Sequence, residues 1–252
     1  MKKPKSADIE AAKAYLRDRL SAEQSMDYNL NLVFREAAER IVGVCYSYGV
    51  SPQPFRFDAY PRVAQREIDD VIQWLIDTIE DYFQTLAIAD HKEDENTILP
   101  LIFGVSHGAT FNERLSEYAN KYKHELELLI GAGLFLGISQ SKLLDSIVAN
   151  FKHPFANEIL ADAIDAPITY GRGHTNSMYT AISNLTRFGI ATAWMHHWYQ
   201  KGKRDGAIAW YVQRGSSYPC SLCDSKVGVT TNENDLPPFH NRCMCYATPL
   251  FI

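Results

Sequence analysis

The residues best suited to chemistry lie together near the C-terminus of the chain. Four of the five cysteines fall within the last 33 residues, and His240 lies among them. The pattern is C-x2-C (Cys220 and Cys223), sixteen further residues, and then H-x2-C-x-C (His240, Cys243 and Cys245). Thiolates and imidazoles in two such groups are the usual ligands of a tetrahedral zinc ion. The sequence therefore predicts one structural Zn2+ held within residues 220–245.

Five candidate ligands compete for the four positions of a tetrahedral ion. If Cys243 and Cys245 point to opposite faces of a strand, one of them ligates together with His240. If the chain bends there instead, both cysteines ligate and His240 lies outside the ligand set. Without a metal, the cysteines would be reduced thiols, or a pair that oxidises to a disulfide outside the cell. Cys45 lies in an apolar helical run, where we expect a small buried thiol.

The sequence contains none of the common catalytic patterns. H-E-x-x-H, G-x-S-x-G and the Walker loop are absent, as is the H-x-E and P-C-x-x-C pair of deaminases. His240-Asn241 beside cysteines resembles a ββα-metal nuclease, but no histidine follows His240 to complete such a site. We therefore expect a protein that is not an enzyme. The alternative is a zinc-dependent nuclease-like protein or another host-encoded zinc-binding protein.

Helical patterns fill the chain up to about residue 200. Between Pro61 and Ala89, apolar residues recur at three- and four-residue spacing, which indicates one buried stripe. The predicted helices span about 6–20, 21–48, 61–89, 111–137, 139–152, 155–163 and 175–201. Thr175 or Asn176 would open the last of them. Adjacent residues of a helix do not share a face, so of His196 and His197 we expect one partly buried and one exposed.

After Gly206 the pattern changes to aromatic and β-branched residues. These predict strands over 207–214, 227–231 and 243–251, with Pro249 marking an edge or a strand end. The fold class is therefore mainly α (α+β), a helical body with a small C-terminal β-containing, zinc-binding module.

Composition and charge exclude several classes of protein. With 46% hydrophobic and 22% charged residues, the 252-residue chain is neither disordered nor collagen-like as a whole. The longest uncharged stretch, 128–141, is too short to span a bilayer, and no secretory signal is recognisable at the N-terminus. We expect a cytoplasmic setting with reduced cysteines. Residues 1–169 carry a net charge of −9 and residues 170–252 a net charge of +4.

The segment Trp210–Pro249 resembles the Mu F-like minor head (head morphogenesis) proteins of tailed bacteriophages. Their hallmark is C-x-x-C, a loop, and then P-P-x-H-x-x-C-x-C near the end of the domain. Here these motifs read YPCSLCDSKVG and LPPFHNRCMCYATP, and the Trp210 strand precedes them. Upstream, Arg172-Gly-His-Thr175 is similar to the family's R-T-E helix start, although the Glu is absent.

The resemblance implies a division into a helical N-terminal region, 1–136, and a Mu F-like domain, 137–252. It implies a minor capsid protein of a tailed phage or prophage that acts in head assembly at the portal or in genome packaging and delivery. The location would be the capsid interior or portal region, and the host cytoplasm during assembly. The partners would be the portal protein and other head proteins, with packaged double-stranded DNA as a further candidate. Neither a membrane nor a small-molecule substrate is expected.

Basic residues near the junction of the last helix and the first strand suggest where such a partner would bind. We expect four of them to form one exposed patch facing an acidic portal surface or the packaged DNA: Lys201, Lys203, Arg204 and Arg214. The alternative is solubilising charge with no partner.

Overall fold

The computed structural model describes residues 4–49, 55–89, 91–104, 108–152 and 177–251. The described chain is mainly helical with one small C-terminal sheet, which confirms the predicted fold class. The main helices are α1 (Ser6–Ser47), α2 (Arg62–Ile88), α3 (Glu95–Phe103), α4 (Phe111–Phe135), α5 (Gln140–Lys152) and α6 (Met178–Arg204). The one-turn helix α7 (Ser221–Asp224) and the strands β1 (Ala209–Gln213), β2 (Gly228–Thr230) and β3 (Tyr246–Leu250) follow. Within these ranges, every helix is too short or too polar to cross a membrane.

Helix α1 is continuous, so the predicted break at Ser21 is wrong. Ser21 is exposed, whereas Leu16, Ala22 and Met26 are buried on either side of it. The buried stripe thus continues through Ser21 at helical spacing, and a serine on the solvent face costs little helix stability. Helix α3 lies between the helices predicted over 61–89 and 111–137, where no helix was predicted.

The start of helix α6 is set by Ser177. The Thr180 amide donates a hydrogen bond to Ser177 Oγ at 3.2 Å, as in a serine N-cap. The predicted caps Thr175 and Asn176, and the predicted helix over 155–163, lie outside the described residues.

The three strands form an antiparallel sheet in the order β2-β1-β3. Trp210 lies opposite Thr230 on one side and Pro249 on the other. Pro249 therefore belongs to an edge strand, as predicted, where a missing N–H donor is tolerated. Trp210, Val212 and Ala247 are almost fully buried and form the core of this sheet together with Met195 of helix α6.

The chain divides into two compact units, each built from segments that are separate in the sequence. One unit contains residues 1–27, 82–111 and 184–252, and the other contains 28–81 and 112–183. The N-terminal segment joins the first unit because Ala12 and Leu16 of α1 pack against Tyr246 of β3. Helices α1, α2 and α6 each contribute residues to both units.

The core of the second unit is rich in aromatic side chains. Phe34 contacts the rings of Tyr122 and Tyr179, and the Tyr122 hydroxyl donates to the Phe34 carbonyl at 3.1 Å. The buried Glu125 carboxylate accepts a hydrogen bond from the Met178 amide at 3.0 Å, so it satisfies a donor at the start of α6. The candidate metal centre lies entirely in the first unit.

Candidate metal centre

Two tight turns present the cysteines and the histidine. Cys220 immediately precedes the single turn of α7 and Cys223 lies within it, and the Asp224 amide donates to the Cys220 carbonyl at 2.9 Å. Arg242 has a left-handed φ of 61°, and the Cys243 amide donates to the His240 carbonyl at 3.1 Å. This second turn reverses the chain just before β3 and brings His240 and Cys243 together.

The five predicted ligands form one group, the Cys/His cluster: Cys220, Cys223, His240, Cys243 and Cys245. His240 Nε2 lies 3.4 Å from Cys220 Sγ and 3.0 Å from Cys223 Sγ, and the Cys223 and Cys243 sulfurs are 3.9 Å apart. The ligand atoms of Cys223, Cys243 and Cys245 lie within 4.8 Å of one another. Zinc bonds of about 2.3 Å to sulfur and 2.0–2.1 Å to nitrogen require tetrahedral edges of roughly 3.8 Å (S···S) and 3.5 Å (S···N). The cluster could therefore hold a metal ion.

The expected placement of Cys243 and Cys245 is wrong. Both cysteines are buried, at 3% and 2% exposure, whereas Met244 between them is 40% exposed. Residues two apart in an extended segment share a face, so the two sulfurs lie on the same side of the chain. The chain does bend, at Arg242, but His240 remains within the cluster. The choice between the two predicted ligand sets stays a prediction.

The imidazole of His240 is oriented toward the thiols. Nδ1 lies 2.7 Å from the Asn241 carbonyl oxygen, and because a carbonyl only accepts, Nδ1 donates this hydrogen bond. Nε2 then keeps its lone pair and faces the sulfurs of Cys220 and Cys223. A backbone carbonyl that fixes the tautomer in this way is the common second partner of a metal-bound histidine.

The thiols differ in how readily they ionise. Burial raises the pKa of Cys223 and of Cys245, and charge repulsion from Cys243 adds to both shifts. Hydrogen bonding from the Cys223 amide and thiol lowers the pKa of Cys220. A divalent cation would offset the charge of the buried thiolates, since metal binding displaces the thiol protons.

A cavity of about 230 Å3 adjoins the cluster and is lined in part by Cys220, His240 and Cys245. Two arginines also line it. Arg214 forms an ion pair with Asp224 and donates to the Tyr218 carbonyl, while Arg242 is exposed.

Two of the four residues of the predicted basic patch, Arg204 and Arg214, are paired with carboxylates, and the patch as one surface stays a prediction. Arg204 donates to both carboxylate oxygens of the buried Asp94, at 2.6 and 3.1 Å, and Arg214 is paired with Asp224. These acidic partners come from other segments, which a count of charges along the sequence does not show. Lys201 and Lys203 are exposed at the end of helix α6.

A second polar group was not recognised as a unit from the sequence. His197 Nδ1 lies 2.6 Å from Asp94 Oδ2, and its ring stacks on His91 at 3.7 Å. His197 is buried and His196 is partly covered, so the expectation that one of them is exposed is wrong. The ligand atoms of three residues, Glu93, Asp94 and His197, are close enough to hold a metal. The Asp94 carboxylate, however, already forms an ion pair with Arg204. The group therefore links the turn before α3 to α6 as an ion-pair network.

Comparison of the chain with known protein families, curated proteins and solved structures gives no match.

Proposed function

We propose that this chain is a minor head morphogenesis protein of a tailed phage or prophage, whose C-terminal module is held together by one structural zinc ion. One observation carries the proposal. The C-x2-C and P-P-x-H-x2-C-x-C segments, which resemble those of Mu F-like proteins, converge in a cluster of metal-binding size. The Trp210 strand that precedes them forms the centre of the adjoining sheet.

Zinc is the metal that suits this cluster best. Thiolate and imidazole ligands in tetrahedral arrangement select zinc among the common metals of reduced proteins. Of the five candidate ligands, three are buried. The loop between the two ligand pairs has few apolar residues, and Lys226 pairs with Asp235 across it at 2.6 Å. A bound ion would therefore supply much of the stability of this loop.

The module would act as an assembly element at the portal or in genome packaging and delivery. Lys201 and Lys203 are exposed in the last turn of α6, beside the module. Their positive charge would attract an acidic portal surface or packaged double-stranded DNA. These partners, like the capsid location, follow from the resemblance.

The proposal is tested by the composition of phage heads. Heads purified from the phage or prophage that encodes the chain should contain the protein by mass spectrometry. Cys223→Ser should abolish incorporation, whereas Cys45→Ser, at a buried cysteine outside the cluster, should not. Purified heads that lack the wild-type protein would overturn the proposal.

A nuclease-like activity is the second candidate, and the cavity beside His240 favours it. Arg214 and Arg242 on the cavity wall could bind a phosphodiester. The orientation of His240 opposes this function, because Nδ1 is bonded to a carbonyl and Nε2 faces the thiols. Cleavage of DNA or RNA by pure zinc-loaded protein, lost in His240→Ala, would establish the alternative.

A further inference from the structure

Arg19 is a fully buried cation far from the Cys/His cluster in sequence. It belongs to helix α1, is 1% exposed, and its Nη2 donates a hydrogen bond of 2.5 Å to the Cys243 carbonyl. Its Nε forms an ion pair with Glu23 Oε1 at 3.2 Å, and Glu23 is 2% exposed. A buried charge is costly unless it is paired and hydrogen-bonded, so this arrangement must offset a large desolvation penalty.

The negative charge available to Arg19 within α1 is shared with another arginine. Glu23 Oε2 also accepts hydrogen bonds from Arg187 of α6, at 3.2 and 3.4 Å, and Arg187 reaches Asp27 at 2.8 Å. The Glu23 carboxylate therefore pairs with two guanidinium groups, those of Arg19 and Arg187. The outer end of the Arg19 side chain is directed away from Glu23, onto the backbone of a predicted metal ligand.

We propose that Arg19 is a positioning residue for the metal centre, holding Cys243 toward Cys223 and balancing the negative charge of the metal–thiolate complex. This role rests on the proposed zinc site. Zinc bound by three thiolates and one imidazole carries a net charge of −1, and zinc bound by four thiolates carries −2. A buried guanidinium beside such a complex is strongly favourable in the low dielectric of the interior.

The hydrogen bond explains how the position of Cys243 is fixed. Arg19 holds the carbonyl of Cys243, while the thiol of the same residue lies 3.9 Å from Cys223 Sγ, close to a tetrahedral edge. Outer-sphere hydrogen bonds of this kind orient ligands, and their loss typically weakens metal binding by about 10- to 100-fold.

The test uses the full chain and three variants. Arg19→Gln removes the charge, Arg19→Lys keeps it with a shorter reach, and Arg17→Gln is the matched control at an exposed arginine of the same helix. Zinc dissociation constants are measured by competition with a chromophoric chelator, and circular dichroism confirms folding. Thiolate-to-metal charge transfer of the Co2+-substituted protein reports on the ligand set.

Arg19→Gln should weaken zinc binding by about 10-fold or more and reduce the charge-transfer intensity, as expected if Cys243 leaves the metal. Arg19→Lys should bind zinc more tightly than Arg19→Gln but more weakly than the wild type. Arg17→Gln should match the wild type.

Wild-type affinity and an unchanged cobalt spectrum in Arg19→Gln overturn the role of Arg19. If Arg19→Gln does not fold, wild-type zinc affinity and an unchanged cobalt spectrum in Arg19→Lys overturn the role of Arg19. A wild-type chain that binds neither metal refutes the zinc centre itself, so the two failures are distinguishable.

Discussion

Gly215, two residues after the C-terminal end of β1, is packed against the backbone between Cys243 and Cys245. A Cβ atom placed at this position would lie 1.9 Å from the Met244 carbonyl oxygen and 3.1 Å from Cδ2 of Leu16. Because real Cβ contacts are essentially never shorter than 3.0 Å, Gly215→Ala forces the two backbone segments apart by at least 1.1 Å.

This displacement would act directly on the metal centre. Met244 lies between Cys243 and Cys245, and a well-formed metal site tolerates deviations of only about 0.2 Å in its ligand distances. We therefore expect Gly215→Ala to weaken zinc binding by about 10-fold or more, an effect as large as the loss of an outer-sphere partner. Overpacking should also lower the free energy of unfolding by about 1–3 kcal/mol. For a chain of this size, that corresponds to a fall in melting temperature of roughly 2–12 °C.

The assay combines zinc competition with thermal unfolding, and Gly43→Ala is the matched control. Gly43 lies inside α1, and a Cβ atom added there would have no neighbouring atom within 4 Å, so alanine should stabilise the protein by about 0.5–1 kcal/mol. It should leave zinc affinity unchanged. A Gly215→Ala protein with wild-type stability and wild-type zinc affinity would refute the reasoning.

Two further predictions concern the ion pairs and the exposed lysines. Asp94→Asn should lower the free energy of unfolding at pH 7 by about 2–3 kcal/mol, since it weakens charge-assisted hydrogen bonds to Arg204 and His197. Burial alone would raise the pKa of Asp94, but hydrogen bonds from Arg204 and His197 lower it below its ordinary value. The contribution is thus fully present above the ordinary carboxyl pKa and is lost as the pH falls through the lowered folded value. Denaturant titrations that show the same difference in free energy of unfolding between the wild type and Asp94→Asn in strong acid as at pH 7 would contradict this. Lys201→Glu combined with Lys203→Glu should change stability by less than about 0.5 kcal/mol and reduce incorporation into heads; normal incorporation would mean that the lysines have no partner.

Much of the secondary structure follows from local patterns. Apolar spacing predicted α2 to within a residue or so at each end, and the change to aromatic and β-branched residues located all three strands. The Cys/His cluster was predictable because metal ligands follow strict spacing rules. Ser21 misled the prediction of α1, since an N-cap residue signals a helix start only where the chain also leaves the helix.

The remaining features depend on contacts between distant segments. Arg19 and Cys243 are 224 residues apart, and nothing in the spacing around Arg19 distinguishes it from the exposed Arg17. Arg204 likewise looks like a free surface charge until the fold brings Asp94 beside it. The first compact unit combines segments from both ends of the chain, which no local pattern in the sequence shows.

The central claim, a zinc ion in the Cys/His cluster, is tested most directly by elemental analysis. Cys223 belongs to both groups of ligand atoms within the Cys/His cluster that could hold a metal, so its removal affects either ligand set. Protein purified under reducing conditions should contain about one zinc per chain. Cys223→Ser should lose it and Cys45→Ser should retain it. Freshly prepared, reduced wild-type protein without zinc, or full zinc content in Cys223→Ser, would contradict the account.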